Sequence, residues 1–488
     1  MFCEILSFSQ EAMFYIQIED PQIIPEFKRN EGTGLLDVSQ NSAELYDIYS
    51  NYHIRKFELA FPTAITPSLQ NVYYVECDEK GLGNELHSLY NEKIPRIGYI
   101  DFPPVSTYTP NDYGYAGSQS NLDLVKAKDA WDIAKDLPKI DVAVSDNYFD
   151  LNHEDLSMTL VSGSNTLPGV NTNHGTGVAG CVGTITDNST GLSSIAFDAD
   201  LAVASVRNDN QVLLLAQAGY RVINCSWMYG CTYNSIVEEL YEEIRDYWGA
   251  IVVFGAGNAN THHCGNNNPS YPASYDSNIA VTSVGHINDI GTPGSPANNW
   301  KDVHEEIIGD SLSAHKHHHT IDICAPGYNV KSSTRTGYGP GGGNYSGFWG
   351  TSFAAPQVAG ALCLIISVNP CLSADQAVAI LLDNADSGIY SISENAQYIG
   401  RLGTGRLDVK EAVEAAAESG TIYLEDQTLS SSQSTESQYG IAFENVTITS
   451  GSHTFKTRDN VQINGPFQIN SGVTCTFDVA TDNVIACN

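Results

Sequence analysis

Three residues in separate segments of the sequence have the side chains of a nucleophilic triad. Asp146 ends an apolar run, His174 precedes a glycine, and Ser352 follows the dipeptide Gly-Thr. A serine hydroxyl is a poor nucleophile until a histidine takes its proton, and the histidine needs a carboxylate that fixes its tautomer. Each residue alone has a structural interpretation, as a turn aspartate, a capping or core histidine and a helix N-cap serine. The three together predict acyl transfer through a covalent intermediate.

Asn258 adds a donor for the charge that such a reaction develops. It follows residues 252–257, an apolar run that ends in Gly-Ala-Gly and is typical of a buried strand. A side-chain amide at this place can donate to the oxyanion of a tetrahedral intermediate, and the loss of one such donor typically costs about 10²–10³ in turnover. We therefore expect Asn258 and the backbone N–H of Ser352 to form an oxyanion hole.

The elements that must position these groups alternate between strand and helix patterns from about residue 121 to 420. Short apolar runs typical of buried strands lie at 140–145, 201–206, 221–226, 250–254, 279–284 and 321–324. Residues 235–248 have helical periodicity, with an apolar face of Ile236, Leu240, Ile244 and Tyr247. A capping box begins a helix at Ser373, and a last helix is expected over 407–417. Apolar strands separated by helices predict an α/β fold, with a parallel sheet covered by helices on both faces.

Two segments with other patterns flank this part of the chain. Residues 1–105 mix short β-type runs with helical stretches, which predicts a small α+β domain. Residues 106–120 are rich in chain breakers and predict a linker, after which the α/β domain covers 121–420. Residues 421–488 are rich in Ser, Thr and Asn, which predicts a small all-β domain.

A weak internal repeat lies in this last segment. Ile448 and Ile469 each begin an Ile-x-Ser-Gly sequence, and the phenylalanines Phe455 and Phe477 follow them. Short sequence repeats such as this one are typical of stacked structural units, so the repeat predicts that the segment forms either β-solenoid rungs or a small sandwich.

The charge balance excludes several classes of partner. The chain of 488 residues has 57 acidic and 23 basic side chains, a formal net charge of −34. Nucleic acid and anionic membranes attract basic surfaces, so we expect neither as a partner. The longest apolar run, 358–368, is much shorter than the roughly 20 residues of a membrane span.

Four clustered histidines, His315, His317, His318 and His319, predict a polar loop rather than a metal site.

Four segments resemble the subtilases, a family of serine peptidases, over residues 121–419. The segment around Ser352 resembles the signature Gly-Thr-Ser-Met-Ala-x-Pro, with Phe353 in place of Met. The segment that begins at His174 matches the fixed positions of His-Gly-Thr-x-Val-Ala-Gly, and the Gly-Asn that ends at Asn258 also matches. Asp146 is followed by Asn-Tyr, where the family usually has Ser/Thr-Gly. The Asp, His, Ser order along the chain is that of the family.

The resemblance implies a serine endopeptidase that needs no cofactor for its chemistry and acts on polypeptides. It also implies two walls of a pocket for the side chain before the scissile bond, formed by Ser226, Trp227 and Met228 and by Gly255, Ala256 and Gly257. Small residues in these walls suggest tolerance for sizeable apolar side chains. Structural calcium is a further implication, for which the sequence indicates no ligands.

The resemblance also bears on maturation and location. The N-terminal domain resembles a propeptide that inhibits its own enzyme until it is cleaved near 103–120. Residues 1–19 have no signal-peptide pattern, but a secreted or cell-surface protein is expected, with a start that lies upstream of Met1. Eleven cysteines favour an oxidising compartment. Candidate disulfide pairs are Cys231 with Cys264, Cys363 with Cys371 and Cys475 with Cys487.

Two alternatives from other classes stay open. The departure after Asp146 would fit a non-catalytic binding module built on the same scaffold. A different serine hydrolase, such as an esterase, is disfavoured because the chain has no Gly-x-Ser-x-Gly elbow.

Overall fold

The computed structural model describes residues 12–29, 36–39, 42–61, 66–77, 81–99, 108–163, 174–258, 264–286, 315–463 and 465–481. The chain divides into two compact units, Met1–Ser106 and Thr107–Asn488. Residues 108–119, which the sequence assigns to a linker, are folded onto the second unit. Within them, Asp112 is completely buried and accepts a hydrogen bond from the Ser193 hydroxyl at 2.6 Å.

The first unit is a small α+β fold, as predicted. Its strands are β1 (Ala12–Gln17), β2 (Glu26–Arg29), β3 (Leu36–Ser39), β4 (Ile54–Leu59), β5 (Val72–Cys77) and β6 (Arg96–Tyr99). Its helices are α1 (Ala43–Ser50) and α2 (Gly81–Leu89), with short 3₁₀ turns at Pro21–Ile23 and Pro67–Leu69. The main sheet is antiparallel with the order β4-β5-β1-β6, and β2 pairs with β3. Apolar residues of this sheet and of both helices form one core.

The second unit is built on a seven-stranded sheet whose neighbouring strands are all parallel. The strands are β7 (Val142–Ser145), β8 (Met158–Ser162), β9 (Leu201–Ala204), β10 (Val222–Cys225), β11 (Ile251–Gly255), β12 (Ile279–Val284) and β13 (Ile323–Pro326). Their order across the sheet is β13-β12-β11-β10-β7-β9-β8. A two-stranded antiparallel pair, β14 (Val330–Ser333) and β15 (Tyr345–Phe348), lies outside this sheet.

Helices cover both faces of the sheet, as predicted from the continuous apolar strands. They are α3 (Ser120–Leu124), α4 (Ala127–Ala134), α5 (His174–Val182), α6 (Asp209–Gln217), α7 (Ser235–Glu242), α8 (Thr351–Val368), α9 (Ala374–Asp383) and α10 (Val409–Ser419). Short 3₁₀ turns lie at Pro340–Gly342, Ser387–Ser391 and Ser393–Tyr398. Successive residues of a strand point to opposite faces. Accordingly, Val142 and Val144 of β7 join one core while Ala143 joins the other.

The long helix α8 is the centre of the larger core. By length and composition it could cross a membrane, but 94% of it is buried inside the protein, as in the core helix of a globular fold. Helix α9 begins with the predicted capping box, in which Ser373 and Gln376 each accept a hydrogen bond from the other's backbone N–H.

The predicted apolar face of residues 235–248 is partly wrong. Ile236 and Tyr247 are each 76% exposed, whereas Tyr241 and Ile244 are completely buried. The reason is twofold: Tyr241 packs against Phe254 of β11, and a π-helical turn at Glu243–Tyr247 breaks the α-helical spacing. Strand β8 is an element that the sequence patterns did not indicate.

The C-terminal strands form a three-sided parallel β-solenoid. They are β16 (Ile422–Glu425), β17 (Thr428–Leu429), β18 (Gln433–Ser437), β19 (Gly440–Glu444), β20 (Val446–Ile448), β21 (Ser452–Thr457), β22 (Asn460–Ile463), β23 (Phe467–Ile469) and β24 (Thr474–Val479). The three sheets have the orders β16-β19-β22, β17-β20-β23 and β18-β21-β24. The sequence repeat reflects this stacking, because Ile448 pairs with Ile469 and Phe455 with Phe477. Because these strands pair in parallel, the segment is a solenoid and not the alternative sandwich.

The stacked phenylalanines of the solenoid lead to a prediction about stability. Phe455 is completely buried and Phe477, on the next rung, is 40% exposed. Phe455→Ala should lower the free energy of unfolding of the solenoid by about 3–5 kcal/mol, because it removes a buried ring. The matched variant Phe477→Ala should cost about 1 kcal/mol or less. Hydrogen exchange of β18 and β21 in increasing urea measures both, and equal losses would contradict the packing described.

Candidate active site

The carboxyl ends of β7, β10 and β11 lie side by side at one edge of the sheet. From β7 the chain runs to the β8 edge and returns, and β10 then starts on the other side of β7. Open α/β sheets form clefts at such switch points, outside the carboxyl ends of the strands. Asp146 follows β7, Ser226 follows β10, and Asn258 lies shortly after β11. The fold therefore gathers three of the predicted residues at one place.

Asp146 and His174 form the best-defined pair of this site. The carboxylate of Asp146 is completely buried, and its Oδ1 lies 2.7 Å from His174 Nδ1 and 2.6 Å from the Asn147 N–H. His174, the first residue of α5, has 35% of its side chain exposed. Burial alone would lower the pKa of His174, but the charge and hydrogen bond of Asp146 outweigh it and hold that pKa above its usual 6.5. The pair therefore leaves His174 Nε2 as the nitrogen that can act as a base.

The unusual residues after Asp146 still form the turn that the site requires. Tyr148 has φ +55°, the left-handed conformation that glycine adopts most easily. The Tyr148 N–H donates to Ser205 Oγ at 3.1 Å, and the Gly175 N–H donates to Asn147 O at 3.0 Å. These hydrogen bonds hold the turn against the start of α5. The glycine that the family usually has at this place is missing, but Tyr148 adopts the left-handed backbone conformation that a glycine favours.

Ser352 lies in the first turn of α8 and is partly buried. Its hydroxyl donates to Ser226 O at 3.4 Å, and Ser226 Oγ donates back to Ser352 O at 2.8 Å. The next residue, Phe353, contacts the His174 ring edge-on, with ring centroids 5.5 Å apart. The residue after the serine thus contacts the histidine ring, while the Ser352 hydroxyl points to Ser226 in this structure.

Thr351 orients Asn258, a role that sequence patterns alone did not reveal. The backbone N–H and the hydroxyl of Thr351 lie 3.2 and 3.3 Å from Asn258 Oδ1. The same hydroxyl accepts a hydrogen bond from the Gly257 N–H at 3.1 Å. Gly350 has φ +120°, and a Cβ there would lie 2.9 Å from Asn258 Nδ2. The absence of a side chain at Gly350 therefore leaves room for the amide NH₂ group of Asn258.

The six residues predicted to form the pocket walls differ in which groups are buried and in what those groups contact. Ala256 is completely buried, and the Trp227 ring packs in the core, where its N–H donates to Ser145 Oγ at 3.2 Å. The side chains of these two therefore belong to the core rather than to the surface of a pocket. Ser226 supports Ser352, as described above. Met228 lies against Gly257, because a Cβ on that glycine would overlap Met228 Sδ, and Gly255 lies against Thr351.

The histidine cluster is only in part the polar loop that the sequence suggested, because His319 is exposed and the other three histidines are buried. His315, His317 and His318 are each at most 4% exposed, and Lys316 between them is 1% exposed. His315 pairs with Asn258 in a single antiparallel bridge. A run of titratable side chains has the composition of a solvated loop even when it is buried. For this reason the sequence predicted a polar loop here.

The cysteine pairs are confirmed in one case of three. Cys231 and Cys264 form a disulfide with a Cα–Cα distance of 5.6 Å. Cys371 is disulfide-bonded, but Cys363 and Cys475 have free thiols, so the other two pairings are wrong. Cys363 is completely buried in α8.

Structural calcium stays an expectation from the resemblance, and the acidic side chains of the described residues identify no ligand set for it. The described residues include no group of three or more His, Cys, Asp or Glu side chains placed to hold a metal ion. The buried carboxylate of Asp155 accepts from Asn188 Nδ2 at 3.1 Å and from the Leu192 N–H at 2.9 Å. Calcium binds oxygen ligands, whereas the groups around Asp155 named here are hydrogen-bond donors.

Comparison with known proteins identifies the family of the second unit. Residues 138–419, more than half of the chain, match the subtilase family. Thermitase of Thermoactinomyces vulgaris is 30% identical over 277 residues, which are 53% of this chain and 86% of that protein. The thermophilic serine proteinase of Bacillus sp. strain AK1 is 28% identical over 54% of this chain and 61% of its own length. Subtilisin DY of Bacillus licheniformis is 29% identical over 49% of this chain and 80% of its own. The match spans the sheet, α5 and α8, and the chain belongs to the subtilase family of serine-type endopeptidases.

Proposed function

We propose that this endopeptidase cleaves peptide bonds with Ser352 as nucleophile, His174 as general base and acid, and Asp146 as the group that orients His174. The observation that carries this proposal is the 2.7 Å contact between the buried Asp146 carboxylate and His174 Nδ1. That contact fixes the tautomer with a free Nε2, which is the form that can accept a proton from a serine.

The proposed reaction has two halves. Ser352 Oγ attacks the peptide carbonyl carbon while its proton passes to His174 Nε2, which then gives the proton to the leaving amine. The resulting acyl-enzyme is hydrolysed when His174 takes a proton from water and returns it to Ser352. In both halves the oxyanion accepts hydrogen bonds from Asn258 Nδ2 and the Ser352 N–H, which act in a largely desolvated site.

The hydroxyl of Ser352 must turn for this reaction. It donates to Ser226 O at the long distance of 3.4 Å. A hydrogen bond of this length is weak, and catalytic hydrogen bonds often form only when substrate is bound. Rotation about the Cα–Cβ bond of Ser352 would direct the hydroxyl to His174 Nε2.

We further propose that the first unit inhibits the enzyme until it is removed. The division of the chain after Ser106 supports a cut close to this boundary. Residues 108–119 belong structurally to the second unit, since the Asn111 side chain bonds to Asp187 O at 3.0 Å and Asp112 is buried. The cut should therefore lie on the N-terminal side of Tyr108.

A secreted or cell-surface location is part of the same proposal. The disulfide between Cys231 and Cys264 and the disulfide-bonded Cys371 support it, since such bonds persist in oxidising compartments. Some relatives are intracellular serine proteases, so relationship to the family alone does not decide the location. Fractionation of the native cells with an antibody to the second unit would test the location.

Labelling with a fluorophosphonate probe tests the nucleophile. The purified chain should gain the mass of one probe adduct on the peptide that contains Ser352, and Ser352→Ala should gain none. Casein cleavage should be lost in the same variant. A folded wild-type protein that takes no label, even after removal of the first unit, would favour a non-catalytic binding module.

The pKa of His174 predicts the acid side of the pH profile. The base must be neutral, so kcat/KM should fall about tenfold per pH unit below the His174 pKa. Because Asp146 raises that pKa, the midpoint should lie above 6.5. Asp146→Asn should lower kcat by about 10⁴, as tautomer control is lost. A midpoint below 6.5, measured with a peptide anilide, would contradict the pairing.

Gly350 gives a test of the oxyanion hole with a matched control. Gly350→Ala should lower kcat by about 10²–10³ because the new methyl group displaces Asn258 Nδ2. Gly337 has φ +81° and open space around the Cβ position, so Gly337→Ala adds backbone strain without a clash. Equal kcat values for the two variants would show that Gly350 has no part in placing Asn258.

Maturation predicts a specific mass change. The full chain should lose about its first hundred residues on incubation, and Ser352→Ala should stay intact. The N-terminus of the product, read by sequencing, should lie at or before Tyr108. Cleavage within 109–119 would contradict the proposal that these residues belong to the mature enzyme, and processing of Ser352→Ala would point to another protease.

A further inference from the structure

A buried lysine lies against one of the two expected pocket walls, and the space between these walls is here called the specificity pocket. The walls are residues 226–228 and 255–257. The Lys316 N–H donates to Gly257 O at 3.0 Å, and a Cβ on Gly257 would lie 3.1 Å from Lys316 Cδ. Lys316 is 1% exposed. Its side chain therefore runs beside the wall that holds Gly257.

The ammonium group of Lys316 is only partly satisfied. Its Nζ donates to Gly265 O at 2.7 Å and to Asn268 O at 3.1 Å. An ammonium has three N–H donors, so one is left over. Within the ranges that the structure covers, no carboxylate forms an ion pair with it. Burying a charge without a counter-ion is costly, which makes this lysine unusual unless an anion reaches it.

A second lysine in the same unit shows that this arrangement is not general. Lys139 Nζ also donates to backbone carbonyls, at 2.6 Å to Ala134 O, at 3.1 Å to Lys135 O and to Leu137 O. Burial lowers the pKa of Lys139, and the nearby carboxylates of Asp198 and Asp136 offset part of that effect. Among the described residues, Lys316 has carbonyl contacts but no carboxylate partner, and the adjacent His318, whose pKa burial and the charge of Lys316 lower, adds no negative charge.

Met228 limits the width of the pocket. Its Sδ and the stem of Lys316 meet at the α-carbon of Gly257, where a methyl group would find no room. The Cys231–Cys264 disulfide joins the segment that follows Met228 to the segment that holds Gly265 and Asn268. A broad aromatic side chain would have to displace the thioether, whereas a narrow chain with a terminal acceptor would not. This narrowing revises the expectation of sizeable apolar side chains.

We propose that Lys316 determines specificity by binding an acidic side chain, glutamate above all, at the residue before the scissile bond. The carboxylate would accept the remaining N–H of Nζ and supply the missing counter-charge. A pocket built to hydrogen-bond a substrate group strongly rejects analogues that lack it, because its own polar group is then left unpaired. This inference rests on the proposed peptidase function of the same site.

The test compares tetrapeptide anilides that differ only at the last residue, Glu, Gln, Leu or Phe, with the matured full chain. Wild-type kcat/KM should favour Glu over Gln by about tenfold or more, since a charge-assisted hydrogen bond is worth about twice a neutral one. Lys316→Met should abolish this ratio while keeping fluorophosphonate labelling. Lys139→Met, the matched control, should keep the ratio, and Met228→Gly should raise cleavage after Phe.

Three results would overturn the proposal. They are equal wild-type rates for Glu and Gln, a preference for Leu or Phe, or a labelled Lys316→Met enzyme with an unchanged ratio. If Lys316→Met does not fold, the wild-type ratio of kcat/KM for Glu and Gln and the substrate preference of Met228→Gly still test the proposal. Failure of the peptidase function would look different, as no anilide would be cleaved and no probe adduct would form.

Discussion

The hydrogen bond between Asp146 and His174 is the interaction on which the other parts of the site depend. It joins a completely buried carboxylate to a ring that is one-third exposed, at the end of the inner strand β7. A buried carboxylate is costly unless it is hydrogen-bonded, and Oδ1 of Asp146 meets that need through Asn147 and His174, while Oδ2 has no hydrogen-bond partner among the described residues. The strand therefore fixes the aspartate, and the aspartate fixes the histidine ring.

Helix α8 supplies the second constraint. It crosses the core almost wholly buried, so its first turn has little freedom to move. Thr351 ties that turn to Gly257 and Asn258, and Ser226 ties it to the end of β10. Reacting groups held on packed elements in this way keep their geometry more closely than groups on loops. The sheet and α8 thus place Ser352 and Asn258, the proposed nucleophile and oxyanion donor, together.

Much of this arrangement could be predicted from residue patterns. The strands at 140–145 and 279–284 are continuous apolar runs, which only a sheet covered on both faces accommodates. The solenoid repeat was visible because identical positions stack, as Phe455 does on Phe477. The residue patterns gave a wrong prediction where tertiary packing determines which side chains are buried. The buried face of residues 235–248 depends on a π-helical turn and on the packing of Tyr241, and hydrophobic periodicity encodes neither.

The polar residues were harder to interpret than the apolar ones. His315–His318 look like a solvated loop by composition, yet they are buried beside Asn258 because backbone pairing draws them in. The role of Tyr148 could not be inferred either, since a positive φ at a non-glycine residue leaves no signal in the sequence. Disulfide pairing likewise depends on distances between loops, which explains why only the Cys231–Cys264 pair was found correctly.

The most direct test of the central claim is nitrogen NMR of the histidine side chains in the Ser352→Ala protein across a pH titration. His174 should carry its proton on Nδ1 when neutral, with a strongly deshielded Nδ1–H, and should titrate above 6.5. Asp146→Asn in the same background identifies the signal by its loss. A neutral His174 protonated on Nε2, or one that titrates below 6.5, would contradict the account, because the base would then face away from Ser352.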